Sequence, residues 1–232
     1  MTEQSLTGLT LGAYRVDKLV GKGACGAVYR AHSTEEGPAG AAGSLVALKV
    51  FHTDVITDER AFQRFEREAE LGLRIRHPHI VPTYDCGAAT VDDVLLHYMA
   101  MQFVEGETLR DVLDELGTLP EDLLYQVVDQ VLDALATVHA EGMVHRDVKP
   151  ENVILTRENQ VRVMDLGVAR LQQEGRDLTH DGEFIGSLAY AAPEQFIDQD
   201  HVGPRADLYA VGVLLYEMAT GINPFDEPDL RT

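Results

Sequence analysis

The sequence predicts an α+β fold in two lobes, a small strand-rich lobe with one helix followed by a mainly helical lobe. Three observations lead there. Up to residue 104 the apolar runs are mostly short, rich in β-branched residues and separated by Gly/Pro-containing stretches, as strands joined by turns are. Beyond residue 105 the apolar residues recur at intervals of three and four, the spacing of helices that bury one face. The 232 residues, 45% hydrophobic and 25% charged, suffice for one large domain or two small packed lobes. The expected division is an N-terminal tail over 1–13, a first lobe over 14–104 and a second over 105–232.

The elements follow in order. Residues 11–32, LGAYRVDKLVGKGACGAVYRAH, read as two short strands around a glycine-rich turn. STEEGPAGAAGS at 33–44 has no period and reads as a loop. LVALKVF (45–51) is a β-branched strand. Apolar residues at 62, 65, 69 and 73 predict a helix over 58–76, broken at Pro78, after which HPHIVPTYDCG becomes extended. LLHYMAMQFV (95–104) is a further strand. TLRDVLDELG and EDLLYQVVDQVLDALATVHAEG are helical, the second stopped by Gly142. Short strands are expected at 153–155 and 161–164, and 170–185 is polar and acidic. DLYAVGVLLYEMATG (207–221) is a helix whose apolar stretch is too continuous for a surface position. The 20 glycines follow no fixed period, so a repeat architecture is not expected.

Composition removes several function classes. No apolar run reaches the roughly 18 residues of a membrane-spanning helix, and MTEQSLTGLT lacks the basic and apolar regions of a signal peptide. The expectation is a cytoplasmic chain with no membrane segment of its own. Cys25 and Cys86 are too few for a disulfide framework or a zinc site and read as free thiols. Lys and Arg number 19 against 39 Asp and Glu, a net charge of −20, which argues against nucleic-acid binding. The same charge would steer basic partners, although plain solubility explains it as well.

Five features carry chemistry. GKGACGAV fits G-x-G-x-x-G-x-V across Gly21, Lys22, Gly23, Ala24, Cys25, Gly26, Ala27 and Val28. Glycines let the backbone approach phosphate oxygens closely. The dinucleotide-binding turn shares the glycine pattern but runs from strand into helix, whereas here a second strand follows; an ordinary glycine-rich hairpin is the bland alternative. Lys49 lies inside an apolar strand, and a buried ammonium demands an anion. Phosphate is one candidate, and a carboxylate on the next helix is another, with Glu68 the best placed and Glu66 and Glu70 its neighbours; the alternative is a surface lysine at a strand end. HRDVKPEN (145–152) is the strongest signal. Phosphoryl transfer asks for positioning and charge neutralisation rather than covalent help. Asp147 offers a carboxylate to a substrate hydroxyl, Lys149 a positive charge to the moving phosphate, and Asn152 a carbonyl oxygen suited to Mg2+. MDLGVAR places Asp165 just after the strand VRV, and GSLAYAAPEQ (186–195) follows.

HRDVKPEN resembles the protein kinase catalytic loop H-R-D-x-K-P-x-N. The glycine pattern, VALK, DLG with Leu166 for the usual aromatic, and the A-P-E of Ala192, Pro193 and Glu194 stand in that family's order, over residues from about 14 to 225. In detail the chain looks like the eukaryotic-type Ser/Thr kinases of bacteria. The resemblance implies a two-lobed kinase-like fold whose N-lobe carries one regulatory helix. It implies transfer of the ATP γ-phosphate to a protein Ser or Thr hydroxyl, with Mg2+ or, in its place, Mn2+. Asp147, Lys149, Lys49 and Glu68 would be catalytic, and Asp165 with Asn152 would bind metal. Val20, Val28 and Ala47 would lie above the adenine and Leu155 below it, between the lobes. Met101 would be the gatekeeper, with the backbone of Gln102 and Val104 on the adenine edge. Asp207 would hold the catalytic-loop backbone, and Ser187 would contact Asp147 and Lys149. Thr179, in an activation loop over 168–185, would be phosphorylated through self-association and pair with Arg146. Cys25, near the tip of the phosphate loop where the family often has an aromatic, reads as small-residue filler, with a redox-sensitive or alkylatable thiol as the alternative.

Kinase C-lobes continue past the point where Thr232 ends this sequence and supply an arginine for the A-P-E glutamate, so an incomplete C-lobe and a partnerless Glu194 are expected. A catalytically impaired pseudokinase-like or truncated module that binds nucleotide or a partner is therefore the alternative function. Small-molecule phosphotransferases share the Asp/Asn pair and the later metal Asp but lack an A-P-E segment.

Overall fold

The computed structural model describes residues 6–23, 26–53, 62, 65, 69–70, 72–166, 189–197 and 202–225. The chain forms two compact units, one made of 1–74 and 82–103, the other of 75–81 and 104–232. The boundary after the last strand of the first unit falls one residue earlier than the expected 104, so Val104 lies in the second unit. Residues 75–81 belong to the second unit, and part of the expected tail is built into the first.

The first unit carries a six-stranded sheet in the order β1-β2-β3-β4-β6-β5, antiparallel throughout. Its strands are β1 (Thr10–Leu11), β2 (Tyr14–Gly23), β3 (Gly26–Ser33), β4 (Leu45–Phe51), β5 (Thr83–Val91) and β6 (Val94–Gln102). Side chains alternate across a sheet, so β4 sends Val46, Leu48 and Val50 to one face. There they join Tyr14, Val16, Tyr29, Ala31, Tyr98 and Ala100 in a core cluster. Leu6 and Leu11 are buried in that same cluster, which is what ties residues 6–11 down. The Tyr14 hydroxyl donates to Asp85 at 3.1 Å, and burial, followed by the Asp85 charge, holds its phenol well above the ordinary value.

β2 and β3 pair antiparallel, as the two strands expected on either side of the glycine pattern do. Gly26 has φ 156, and a Cβ there would strike the Val50 carbonyl, so glycine is what lets β3 start against β4. β5 and β6 turn over at Asp92 and Asp93, with φ 48 and 63, the left-handed pair that tight hairpins use. Among the described residues, 62, 65, 69–70 and 72–74 are helical, with Phe65 and Ala69 buried; the helix has ended before Pro78.

In the second unit β7 (Glu107–Thr108), β8 (Val153–Leu155) and β9 (Val161–Val163) make a small antiparallel sheet. Segment 75–81 lies along β9: Val81 N–H donates to the Val163 carbonyl at 2.8 Å, and Val163 N–H to His79 at 2.8 Å. The main helices are α1 (Leu109–Leu116), α2 (Glu121–Ala140) and α3 (Pro204–Thr220). Thr108 and Asp111 cap α1 reciprocally, each side chain accepting the other's backbone N–H. Gly142, with φ 75, follows the end of α2 as expected, and Gly221 closes α3 in the left-handed conformation. α3 packs on α2 through a buried side that includes Ala210, Val213, Leu214 and Met218. Its apolar run covers the other side too, since Leu208 and Tyr216 are half exposed. Among the described residues no helix is long and apolar enough to cross a membrane.

Candidate active site

Residues 145–152 run from the end of α2 towards β8 and finish in a 3-10 turn, Pro150–Asn152. The anchor of this loop is Asp207 in the first turn of α3, whose carboxylate is wholly buried. It accepts the N–H of His145 at 2.9 Å and of Arg146 at 2.7 Å. His139 Nε2 stands 2.7 Å from the same group. A buried carboxylate with several donors of this kind is a strong, charge-assisted hold. It is the role expected of Asp207, and it keeps Arg146 at φ 67.

The fully buried His145 ring works in two directions. Its Nδ1 accepts the Asp147 N–H at 3.3 Å, so Nε2 carries the proton and donates to the Met164 carbonyl at 3.0 Å. Asp147 then projects its carboxylate to Lys149 Nζ at 2.8 Å, with each side chain 17% exposed. Asn152 donates its side-chain amide twice, to the Asp147 carboxylate at 2.8 Å and to its backbone carbonyl at 2.7 Å. The structure thus brings Asp147, Lys149 and Asn152 into one cluster. Met164 N–H donates to the Asn152 carbonyl at 3.0 Å, extending the β8–β9 pairing by one step. Asp165 follows directly, half-buried, with φ 63.

A Mg2+ ion suits this donor set. The Asn152 amide nitrogen is committed to Asp147, which orients the side chain and leaves its oxygen as the group to offer a cation. Asp165 adds a carboxylate at the same end of the β8–β9 hairpin, and hard oxygens from one or two side chains plus phosphate are what Mg2+ takes.

In the first unit the sheet register places the expected nucleotide residues side by side. Gly21 pairs with Val28, Val28 with Lys49, and Lys49 with Met99. Ala47 pairs with Met101. Alternation puts Val28, Lys49, Ala47 and Met101 on the face turned away from the Val46–Leu48–Val50 core. Lys49 is buried, its Nζ 5.7 Å from the centre of the Phe51 ring. Gln102 gives its N–H to Pro82 at 2.9 Å, so its offer to a ligand is its carbonyl. Val20, Gly21, Lys22 and Gly23 are exposed at the end of β2, while Gly26 is buried at the start of β3 and Ala27 beside it is half-buried. In the second unit Val104 is half-buried and Leu155 is buried on β8. Glu68, Ala24, Cys25, Thr179 and Ser187 lie outside the described residues. Glu194 is half-buried at the start of a single helical turn, Glu194–Ile197, and Cys86 is half-buried on β5.

A second cluster was not anticipated. Arg110 on α1 donates to Glu217 on α3 at 2.9 Å, to the Tyr190 hydroxyl at 2.7 Å and to Glu151 of the catalytic loop at 3.1 Å. Tyr190 in turn donates to Glu217. Burial and the bond to Glu217 hold the Tyr190 phenol far above its ordinary value. For Arg110 burial opposes the charge, but Tyr190 and Glu217 outweigh it and the guanidinium is held firmly protonated. One signal in the sequence pointed here: Glu217 interrupts an apolar stretch, and a buried carboxylate in such a stretch requires a cation.

A carboxylate–lysine–asparagine loop clamped from beneath by a buried aspartate, together with a glycine hairpin paired to a lysine strand, is the layout of a phosphate-transferring domain. The chain belongs to the protein kinase family: residues 14–231 match the protein kinase domain. That family implies ATP as phosphate donor and protein as acceptor. The chain is 39% identical over 215 residues to a probable serine/threonine-protein kinase of Streptomyces coelicolor, covering 92% of this chain and 31% of that protein. It is 38% identical over 222 residues to the serine/threonine-protein kinase pkn3 of Myxococcus xanthus, covering 92% of this chain and 38% of the other. PknB of Mycobacterium leprae is 39% identical over 180 residues, 78% of this chain and 29% of that protein. The chain spans about a third of the length of these relatives.

Proposed function

We propose that this chain is the catalytic domain of an active serine/threonine protein kinase. The observation that carries the reading is the Asp147–Lys149–Asn152 cluster on a loop fixed by Asp207. Asp147 takes the hydrogen of a substrate serine or threonine hydroxyl, so that its oxygen attacks the γ-phosphorus as the bond to the bridging oxygen breaks and ADP departs. Lys149, already beside that carboxylate, offsets charge on the moving phosphoryl group. Lys49 serves the remaining phosphates, with Glu68 as the carboxylate that orients it. Asn152 and Asp165 would hold Mg2+, which when bound neutralises phosphate charge. Val20 to Val28, Ala47, Met101, Gln102, Val104 and Leu155 are assigned to the nucleotide. The relatives named above carry the serine/threonine specificity that we extend to this chain.

The alternative of a non-catalytic binding module is disfavoured because Lys49, Asp147, Asn152 and Asp165 are all present. Protein substrates rather than nucleic acid fit the charge of −20, and ATP chemistry fits a cytoplasmic setting. Phosphate incorporation from Mg2+–ATP into a generic protein substrate tests the reading. Asp165→Asn and Asp147→Asn should each lose about 10²–10⁴-fold in kcat, and equal incorporation by wild type and Asp165→Asn would overturn it. Asp165→Asn should also lose the rise in melting temperature that Mg2+–ATP gives wild type. In the same assay Thr179→Ala tests activation by phosphorylation between copies; unchanged activity after autophosphorylation removes Thr179 from that role.

A further inference from the structure

Gln195, two residues after Pro193, is a buried amide to which neither the sequence pattern nor the mechanism above gives a task. It is 3% exposed. A buried primary amide has a carbonyl to satisfy and two N–H groups to give. The Gln195 carbonyl accepts the Ala192 N–H at 3.0 Å. That is half of a capping box, closing the single helical turn Glu194–Ile197. The Gln195 amide group donates across the unit to the Arg146 carbonyl, also at 3.0 Å.

The Arg146 carbonyl belongs to the peptide from which Asp147 hangs. Arg146 has φ 67, a left-handed conformation that strains a non-glycine residue, so it persists only when its surroundings hold it. Asp207 holds the Arg146 N–H at 2.7 Å. On the next peptide the Asp147 N–H reaches His145 at a long 3.3 Å, and the carbonyl is held by Gln195. Among the described residues, the hold from the segment that carries Tyr190 and the A-P-E residues is shorter than the one from His145.

We propose that Gln195 is a positioning residue for phosphoryl transfer, bridging the end of that segment to the Arg146–Asp147 peptide and so setting the direction of the Asp147 carboxylate. The inference rests on Asp147 being the catalytic carboxylate. A cap alone would not need glutamine, because glutamate accepts the Ala192 N–H equally well. Ionised glutamate, however, has no hydrogen for Arg146, and it would place a carboxylate against that carbonyl.

This difference supplies the test, made in the full-length protein with Mg2+–ATP and myelin basic protein as a generic acceptor. At pH 8, Gln195→Glu should lower kcat about 10–100-fold, the size of effect that a small misplacement of a reacting group produces, and leave the KM for ATP within about two-fold of wild type. Burial raises a carboxyl pKa, and the protonated form regains an O–H to donate to Arg146 while still accepting from Ala192. The gap to wild type should therefore narrow as pH falls towards 6. Gln195→Ala should show the loss without the acid recovery.

Amide hydrogen exchange gives a second readout that needs no turnover. In Gln195→Glu at pH 8, exchange at residues 145–148 should accelerate while Ala192 stays protected. Wild-type kcat in Gln195→Glu at pH 8, a pH-independent deficit, or unchanged exchange at 145–148 would each overturn the proposal. If wild type itself transfers no phosphate, the kinase reading fails, and the exchange experiment still decides whether Gln195 holds the Asp147 peptide.

Discussion

His97 shows how much a single side chain responds to its surroundings. It lies on β6 with its ring 5.1 Å from Phe62 and 5.9 Å from Phe65. Burial among these groups disfavours the charged imidazolium and lowers its pKa below the ordinary 6.5. The sign of the consequence is fixed. Below about pH 6.5 the unfolded chain takes up a proton here that the folded chain refuses, so the contribution is fully present above about pH 6.5 and is lost as pH drops from there towards the lowered native value. His97→Gln should flatten this part of the stability profile. The check is the denaturation midpoint of both proteins between pH 8 and 5, with parallel curves as the outcome that excludes His97. Asp165 and Arg146 make a related point by geometry: both have left-handed φ, 63 and 67, and both lie in the segments to which the proposed phosphoryl transfer is assigned.

Between elements, the Arg110–Tyr190–Glu217–Glu151 cluster joins α1, α3, the segment around Tyr190 and the 145–152 loop. Glu217 has 7% side-chain exposure and Arg110 28%. Removing the more buried partner leaves Arg110 with Glu151 and the Tyr190 hydroxyl, and takes from that buried hydroxyl the carboxylate to which it donates. Glu217→Ala should therefore cost about 1–3 kcal/mol in urea unfolding, and the double change Arg110→Met, Glu217→Leu should recover part of it; additive losses would mean that the two residues act apart. The same elements show where the sequence was legible. Asp147, Lys149 and Asn152 lie within one stretch of eight residues, so their spacing in the chain was already the spacing of the site. Arg110 and Glu217 are 107 residues apart, and no local pattern connects them. Most long strands and helices announced themselves by period. β1 and β7 are two residues each and have no period to detect, so nothing in the sequence marks Thr10 as strand rather than tail. Gln195 was visible only as part of APEQ, because its partner Arg146 is brought to it by tertiary packing.

For the whole molecule the dominant quantity is charge. At −20 the chain repels itself at neutral pH, and screening should relieve that strain. The Debye length falls to about 10 Å at 0.1 M salt, so the melting temperature should rise between 0.01 and 0.3 M NaCl, in the same range in which transfer to a basic substrate slows through lost steering. A melting temperature that falls with salt would show that attractive pairs outweigh repulsion. The path of the chain has a temporal consequence as well. Segment 75–81 is made early, yet its partner strand β9 is not: His79 and Val161 face each other across 82 residues of sequence. At synthesis rates of about 5–20 residues per second, the segment leaves the ribosome roughly 4–16 seconds before its partner exists. The first unit is interrupted by a piece that cannot yet dock, so vectorial folding must carry Ile75–Val81 as an unfinished edge until the second unit arrives to claim it.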